Sequence, residues 1–215
     1  MSKQQTLSES IRDNYPATDY SFKKRKPIFG FGINDADYIT QPRVEGRQIA
    51  DPAYIAWKGV LNRVYDKKRK SKHRSYIGIK LCKQWHSFME FRRWWMDNHV
   101  EGWELDKDLL FFGNDTYSPR RCIYVPQWIN CVLNTQDFQR GDLMLGVSME
   151  DGKFRASCRS SGSRQVFLGY HDTEEVAHMA WVEFKLSVIE KRKDEIISID
   201  ARIYETLKKK ILCSK

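Results

Sequence analysis

The chain of 215 residues is long enough for one large or two small domains, and its hydrophobic fraction of 41%, with seven Trp and ten Tyr, is sufficient for a packed core. Its formal net charge of +9 predicts a polyanionic partner, because a basic surface neutralises phosphates well. The sequence has neither an apolar window of about 18 residues nor an apolar N-terminal stretch, which predicts no membrane-spanning helix and no signal peptide.

The N-terminal part is predicted to begin with irregular segments and to continue into a helix. Residues 1–26 are polar and end in a basic run, which predicts a flexible basic arm. Residues 27–50 show little periodicity and are predicted to be rich in loops. A helix is predicted over 52–66, since Asp51 is a suitable N-cap and Pro52 fits the first helical turn.

A strongly basic segment follows this helix over residues 66–74. Such a segment is either a solvated loop or a site of phosphate contact, and both interpretations stay open. The residues predicted to contact DNA in this segment are Lys67, Lys68, Arg69 and Lys70.

A short strand and a second helix are predicted next along the chain. Residues 76–81 alternate as a strand does, and residues 85–98 return to helical spacing. One face of that helix carries Trp85, Phe88, Phe91 and Trp95. These aromatic side chains are predicted to form core in preference to a stacking platform for bases.

Three β-strands and two helices are predicted after a polar linker at 134–142. The turns between the strands contain glycine, as tight hairpins require, and the strands are predicted at 145–149, 153–159 and 165–170. Thr173 is a suitable N-cap for a helix whose apolar side would pack on the sheet, and a final helix is predicted at about 194–212. The fold class is therefore predicted to be α+β.

One face of this sheet is predicted to remain free and to be basic. The alternation of strand residues places Lys153, Arg155 and Arg159 on one face, and Arg164 lies beside it. A ribbon of antiparallel strands fits the major groove, where Arg reads guanine or contacts phosphate. The alternative is a face that only makes the protein soluble, and this alternative stays open.

The C-terminal part resembles the Apetala-type DNA-binding domain, which is common behind phage nucleases. The resemblance covers about 145–192 and rests on a Gly-Lys-Phe-Arg-Ala strand, a Leu-Gly-Tyr strand end and the helix start Thr-Glu-Glu-Val-Ala. It implies that the sheet binds double-stranded DNA in a groove, with the basic strand residues on bases and phosphates.

The stretch LDKDLLFFGNDTYSPRRCIYVPQWIN at 105–130 resembles the ββα-metal core of phage HNH endonucleases. Segments at 30–38, 54–65 and 76–95 resemble the same group, so this resemblance begins at about residue 28. It implies an HNH core with flanking helices and cleavage of phosphodiester bonds with Mg²⁺ or Mn²⁺.

The second resemblance also implies a set of site residues. Asp106 and Asp108 would bind the metal and act in catalysis at a strand end, opposite a helix that begins near Ser118, and Asn114 would hold the two strands together. The sequence departs from the family because the usual general-base His is absent and Asp106 stands at or next to its place. Arg120 and Arg121 occupy positions that usually carry acidic or metal-binding residues, and they would repel a metal but attract phosphate.

His86 and His99 are alternative candidates for the general base, although neither lies in the motif. The predicted organisation is an arm at 1–26, a nuclease domain at 27–133, the linker, and an Apetala-type domain at 143–215. Two hypotheses follow, namely a site-specific endonuclease of the homing type from a phage, and a DNA-binding protein on an inactive nuclease scaffold that acts as a repressor or by occupying sites. The five cysteines without a paired motif predict reduced thiols and a location in the host cytoplasm.

Overall fold

The computed structural model describes residues 1–72, 76–132, 143–159 and 165–214, and it contains both helices and strands. The chain forms two compact units. Unit one comprises Met1–Trp103 and Asn114–Tyr124, and unit two comprises Glu104–Gly113 and Val125–Lys215. The boundary predicted at 134–142 falls among residues that are not described, and the division between the units instead passes through 103–125.

Unit one is mainly helical. Its helices are α1 (Lys3–Asn14), α2 (Asp19–Lys23), α3 (Pro52–Tyr65), α4 (Lys67–Lys72) and α5 (Phe88–Asn98), with a 3₁₀ helix at Lys83–His86. Strands β1 (Arg43–Val44) and β2 (Arg47–Gln48) pair antiparallel, whereas β3 (Lys80–Leu81) pairs parallel with β5 (Thr116–Tyr117). The prediction of helices at 52–66 and 85–98 is confirmed within a few residues, and only the end of the strand predicted at 76–81 forms.

Aromatic side chains fill the core of unit one, as predicted for the face of the second helix. Trp57 of α3 is fully buried, and its indole N–H donates to the carbonyl of Trp85 at 2.7 Å. Phe88 packs against Trp57 with ring centroids 5.4 Å apart, and Phe91 meets Trp85 at 5.0 Å. Burying several aromatic rings contributes several kcal/mol, on the order of 2–3 kcal/mol for each side chain.

The segment predicted as a flexible arm begins with a packed helix, which corrects that prediction. In α1 the side chain of Ser2 accepts from the backbone N–H of Gln5, and the backbone N–H of Ser2 donates to the side-chain oxygen of Gln5. The Gln5 amide also donates to the carbonyl of Met96 at 2.6 Å, and Ser8 accepts from Arg92 inside the unit. The buried stripe of α1 is partly polar, so hydrophobic periodicity does not reveal it.

The region predicted to form an HNH core differs locally from that expectation. Strands β4 (Trp103–Asp106) and β6 (Ile123–Pro126) pair, and α6 (Gln127–Val132) follows. No helix begins near Ser118 in this described stretch; its carbonyl instead accepts the N–H groups of Arg121 and Cys122, both at 3.1 Å, in a single turn. Residues Ile123–Pro126 then extend as β6, and helix α6 begins only at Gln127.

Unit two contains the predicted three-stranded antiparallel sheet. Strands β7 (Val147–Glu150), β8 (Lys153–Arg159) and β9 (Gln165–His171) lie in sequence order, and the helices are α7 (Glu174–Lys191), α8 (Lys193–Ile199) and α9 (Ala201–Leu212). The predicted single helix at 194–212 is wrong. It is divided at Asp200, which has an extended backbone (φ −167°, ψ 125°) and caps the N–H of Arg202.

Helix α7 covers one face of the sheet. Thr173 accepts from the N–H of Val176, as predicted for the N-cap, and Ala177 packs against Val147 and Ala156 of the strands. Gly146 (φ +80°) lets the chain pass Trp181, because an added Cβ would lie 2.1 Å from the ring. Over the residues described, none of the helices is both long enough and apolar enough to span a bilayer.

Candidate nucleic-acid interface

The outer face of the sheet, opposite α7, carries the predicted basic residues that the structure describes. Phe154 and Ala156 point toward α7, so Lys153 and Arg155 alternate onto the outer face. Lys153 is exposed and Arg155 is half-buried. The backbone of Arg159 pairs with Gln165 at the end of β8. Arg164 lies outside the described residues.

An irregularity in β9 brings two aromatic residues onto this face. Arg155 pairs with Tyr170 and Ser157 pairs with Phe167, so the register shifts by one residue between these pairs. Cross-strand partners share a face of the sheet. Phe167 and Tyr170 are three residues apart and would lie on opposite faces of a regular strand, but the bulge at Gly169 (φ +119°) places both on the outer face.

The aromatic pair and Arg155 contact each other and form what we term the sheet patch (Glu150, Arg155, Phe167 and Tyr170). The two rings meet edge to face with centroids 5.1 Å apart, and the Arg155 guanidinium lies 5.5 Å from the Phe167 centroid. Arg155 Nε is 3.3 Å from a carboxylate oxygen of Glu150, and the Tyr170 hydroxyl donates to the same oxygen at 3.1 Å, which raises the pKa of Tyr170. Both rings are 51% exposed.

The sequence alone predicts the basic residues of this face and not its aromatic residues. Exposed aromatic rings on an open sheet face are uncommon and mark interaction surfaces when they cluster. Gly169 was the available signal, since glycine inside a strand often marks a bulge that changes the direction of a side chain.

Asp106 and Asp108, the predicted metal ligands, lie in unit two. Asp106 Oδ1 accepts the backbone N–H groups of Asp108 and Leu109 at 2.5 and 2.9 Å, which caps the loop after β4. Burial and then the negative charge of Asp108 raise the pKa of Asp106. The buried ammonium of Lys107 contacts Asp108 Oδ1 at 2.5 Å.

This arrangement does not fit a Mg²⁺ or Mn²⁺ site. Such an ion takes about six oxygen ligands, whereas backbone donors occupy Asp106 Oδ1 and a lysine cation occupies Asp108. Within the described ranges, no group of three or more His, Cys, Asp or Glu side chains is placed to hold a metal ion. The two carboxylates therefore act in the structure as a loop cap and an ion-pair partner.

Asn114, Arg120 and Arg121 belong to unit one. The Asn114 amide donates to the carbonyl of Thr116 at 2.9 Å, and its oxygen accepts the Thr116 N–H at 3.3 Å, which orders the entry to β5. Arg121 donates to the same Asn114 oxygen at 2.9 Å. Arg120 and Arg121 are both exposed, so their charges can meet an anion.

The two alternative general bases, His86 and His99, both lie among aromatic side chains of unit one. His86 Nε2 is hydrogen-bonded to the Tyr65 hydroxyl at 2.7 Å. His99 stacks on Trp95 with centroids 4.3 Å apart, and burial lowers its pKa. Both histidines therefore have structural surroundings in unit one.

The basic segment predicted to contact phosphate forms helix α4, and not a loop, up to Lys72. Asp66 caps it, since one carboxylate oxygen accepts the N–H groups of Lys68 at 2.8 Å and Arg69 at 3.3 Å. Lys67 and Lys68 are exposed, and Arg69 and Lys70 are half-buried. The helix concentrates several positive charges on a short length of unit one.

Comparison of this chain with models of protein families, with curated proteins and with solved structures finds no match. The resemblances to phage HNH endonucleases and to Apetala-type domains therefore stay expectations. The geometry of the sheet face, of the acidic loop and of the basic helix is the basis on which a function can be inferred.

Proposed function

We propose that this protein binds double-stranded DNA through the outer face of its three-stranded sheet. The observation that carries the proposal is the sheet patch, in which an arginine and two half-exposed aromatic rings contact each other on the face opposite α7. A ribbon of antiparallel strands fits the major groove, Arg makes bidentate bonds to guanine, and an aromatic ring makes an apolar contact with the thymine methyl group.

Glu150 orients the guanidinium for such a contact. It contacts Arg155 through Nε, while bidentate recognition of guanine uses donors of the guanidinium fork in a fixed plane. A side chain held in place before binding loses less conformational freedom when the complex forms. The carboxylate also disfavours phosphate close to it, which directs Arg155 toward base edges in preference to the DNA backbone.

The charge of the chain supports a polyanionic partner. The net charge of +9 and the basic helix α4 supply phosphate contacts without sequence preference. Since Asp106 Oδ1 and Asp108 Oδ1 already have protein partners, we propose binding without cleavage in preference to the endonuclease hypothesis. Such a protein would act as a repressor or by occupying its sites.

The test compares Arg155→Ala with a matched variant, Arg202→Ala. Arg202 also pairs with a carboxylate, that of Asp200 at 2.6 Å, and lies 5.7 Å from the centroid of the Phe111 ring, but it belongs to α9. Each variant removes one positive charge, one ion pair and one ring contact from unit two. The loss of net charge should therefore weaken nonspecific binding to DNA equally in both variants.

Fluorescence anisotropy measures the affinity of both variants for a duplex that the wild-type protein selects from a random pool. Arg155→Ala is expected to weaken binding by about 1–3 kcal/mol, or about 5- to 150-fold. Arg202→Ala is expected to stay within about threefold of the wild type. Equal losses in the two variants would refute binding through the sheet patch.

A further inference from the structure

A second candidate site lies in unit one, in a cavity beside α3. The cavity has a volume of about 310 Å³ and is lined by Phe29, Lys58, Gly59, Asn62, Arg63 and Arg69. A second cavity of about 290 Å³ shares Asn62 and Arg69 and is also lined by Asp66, Lys68 and Lys72. We term the first cavity the α3 pocket, and its volume is at the lower end of the range for small-molecule sites.

The α3 pocket holds positive charge that the described residues do not neutralise. Among them, Lys58, Arg63 and Arg69 form no ion pair with a carboxylate. Arg63 is hydrogen-bonded to two tyrosine hydroxyls, which carry no charge to balance it. The Nε atom of Arg69 is buried and has no hydrogen-bond partner among the residues described.

Asp66 is the carboxylate close to this pocket, and its oxygens are directed to neutral donors. One oxygen accepts the backbone N–H groups at the start of α4, and the other accepts the side-chain amide of Asn62 at 3.0 Å. Arg69 donates to the Asn62 oxygen at 3.3 Å. Asp66 therefore holds Asn62 and Arg69 in place, the Arg69 guanidinium also lies 5.3 Å from the centroid of the Tyr76 ring, and its Nε remains available to an anionic ligand.

Two residues of the pocket wall are unfavourable for local structure. Gly59 lies inside α3, where glycine disfavours a helix, yet a Cβ at this position would meet nothing within 4 Å. Phe29 has φ +53°, a backbone conformation that is strained for a bulky residue, and its ring is 41% exposed at the pocket. Phe29 and Gly30 share this conformation with the turns at Glu45–Gly46 and Asp151–Gly152, so a tight turn places the Phe29 ring at the pocket.

We propose that the α3 pocket binds one nucleoside monophosphate unit, either free or as the unpaired end of a strand. Lys58 and Arg69 hold the phosphate, and the exposed ring of Phe29 stacks on the base. Gly59 leaves open the space that the ligand takes. This inference goes beyond duplex binding by the sheet and concerns a different unit of the chain.

Isothermal titration of the full-length protein with dAMP tests the proposal. Gly59→Met puts a long side chain into the pocket and is expected to weaken dAMP binding at least tenfold. Gly59→Ala is the matched control, since it improves the helix equally but adds one methyl group, and its affinity is expected to stay within about threefold. Melting temperatures at or above that of the wild type verify that both variants fold.

The base and the phosphate are tested separately. Deoxyribose 5-phosphate is expected to bind at least about fivefold more weakly than dAMP, because it lacks the base that stacks on Phe29. Equal affinity of these two ligands, no saturable binding of dAMP, or an unchanged affinity in Gly59→Met would each overturn the proposal. A phosphorylated single-stranded trinucleotide that binds tenfold more tightly than dAMP would assign the pocket to strand ends, and equal affinity would assign it to free nucleotides.

This test is independent of the proposed duplex binding. Arg155→Ala should leave dAMP affinity unchanged, because the substitution lies on the sheet of unit two. Failure of duplex binding with intact dAMP binding would refute the sheet proposal alone. Loss of dAMP affinity in Arg155→Ala as large as that in Gly59→Met would refute the assignment to the α3 pocket.

Discussion

Replacing Phe167 by alanine is expected to weaken duplex binding without changing its dependence on salt. An aromatic side chain offers about 150–250 Å² of surface, and 51% of that of Phe167 is exposed. Covering the remaining area of about 80–130 Å² in a complex is worth about 2–3 kcal/mol, or roughly 30- to 150-fold in affinity. The ring carries no charge and releases no counterion, so plots of log affinity against log salt for the variant and the wild type should be parallel.

Anisotropy titrations at several salt concentrations measure both quantities, and Met149→Ala is the matched control. Met149 is 53% exposed in the same sheet, but it pairs with Phe154 on the side facing α7. Its loss should leave affinity within about threefold, since surface substitutions usually change little. The reasoning is refuted if both variants lose affinity equally, or if Phe167→Ala binds as the wild type does while its melting curve shows a folded protein.

The acidic loop and the sheet support further expected outcomes. Asp106→Asn should raise the melting temperature more at pH 7 than at pH 4. The folded-state pKa of Asp106 is raised, so ionisation of this carboxyl above its ordinary pKa costs stability, whereas asparagine stays neutral and keeps the Oδ1 acceptor. An equal change of melting temperature at both pH values would contradict this expectation. Gly146→Ala should lower the free energy of unfolding in urea by about 2–5 kcal/mol, because alanine is strained at this positive φ and its Cβ would clash with Trp181. A loss below about 1 kcal/mol would show that the Trp181 ring moves to accommodate the Cβ. Plasmid DNA with Mg²⁺ or Mn²⁺ should remain uncut relative to a chelator control, since Lys107 occupies Asp108; cutting that Asp106→Ala abolishes would establish the endonuclease hypothesis instead.

The sheet and α7 could be predicted from the sequence because local signals agree there. Alternating strand residues, glycine in the turns and Thr173 before two glutamates all indicate the same elements. Trp85, Phe88, Phe91 and Trp95 were predicted as core because they repeat at helical spacing. Where local propensity and tertiary packing favour the same structure, the prediction is confirmed.

Helix α1 and the turn at Ser118 could not be predicted in the same way. Helix α1 is held by side-chain bonds from Gln5 and Ser8 to other parts of unit one, and polar residues of this kind also occur in flexible arms. Ser118 and Pro119 are typical of a helix start, but the following residues extend into β6. Contacts between residues that are distant in sequence determine the structure of α1 and of the turn at Ser118, and a single sequence does not reveal such contacts.

The sheet patch could not be predicted from the sequence, and the reason is geometric. Phe167 and Tyr170 are three positions apart, and alternation assigns them to opposite faces. Only the shift of register at Gly169 brings them together with Arg155. A one-residue shift changes the face of every later side chain, so a bulge alters the composition of a surface more than any single substitution does.

Glycine has a comparable role in both candidate sites. Gly169 interrupts β9 with a φ of +119° that alanine rarely adopts, and Gly59 weakens α3 by roughly 0.5–1 kcal/mol relative to alanine. In return, Gly169 turns Tyr170 to the outer face beside Arg155, and Gly59 leaves a cationic cavity open. Departures from local preference are expected at functional sites because a site needs a shape that the most stable element does not have. Both departures in this chain adjoin unneutralised cations or exposed aromatic rings, which are the groups that bind phosphates and bases.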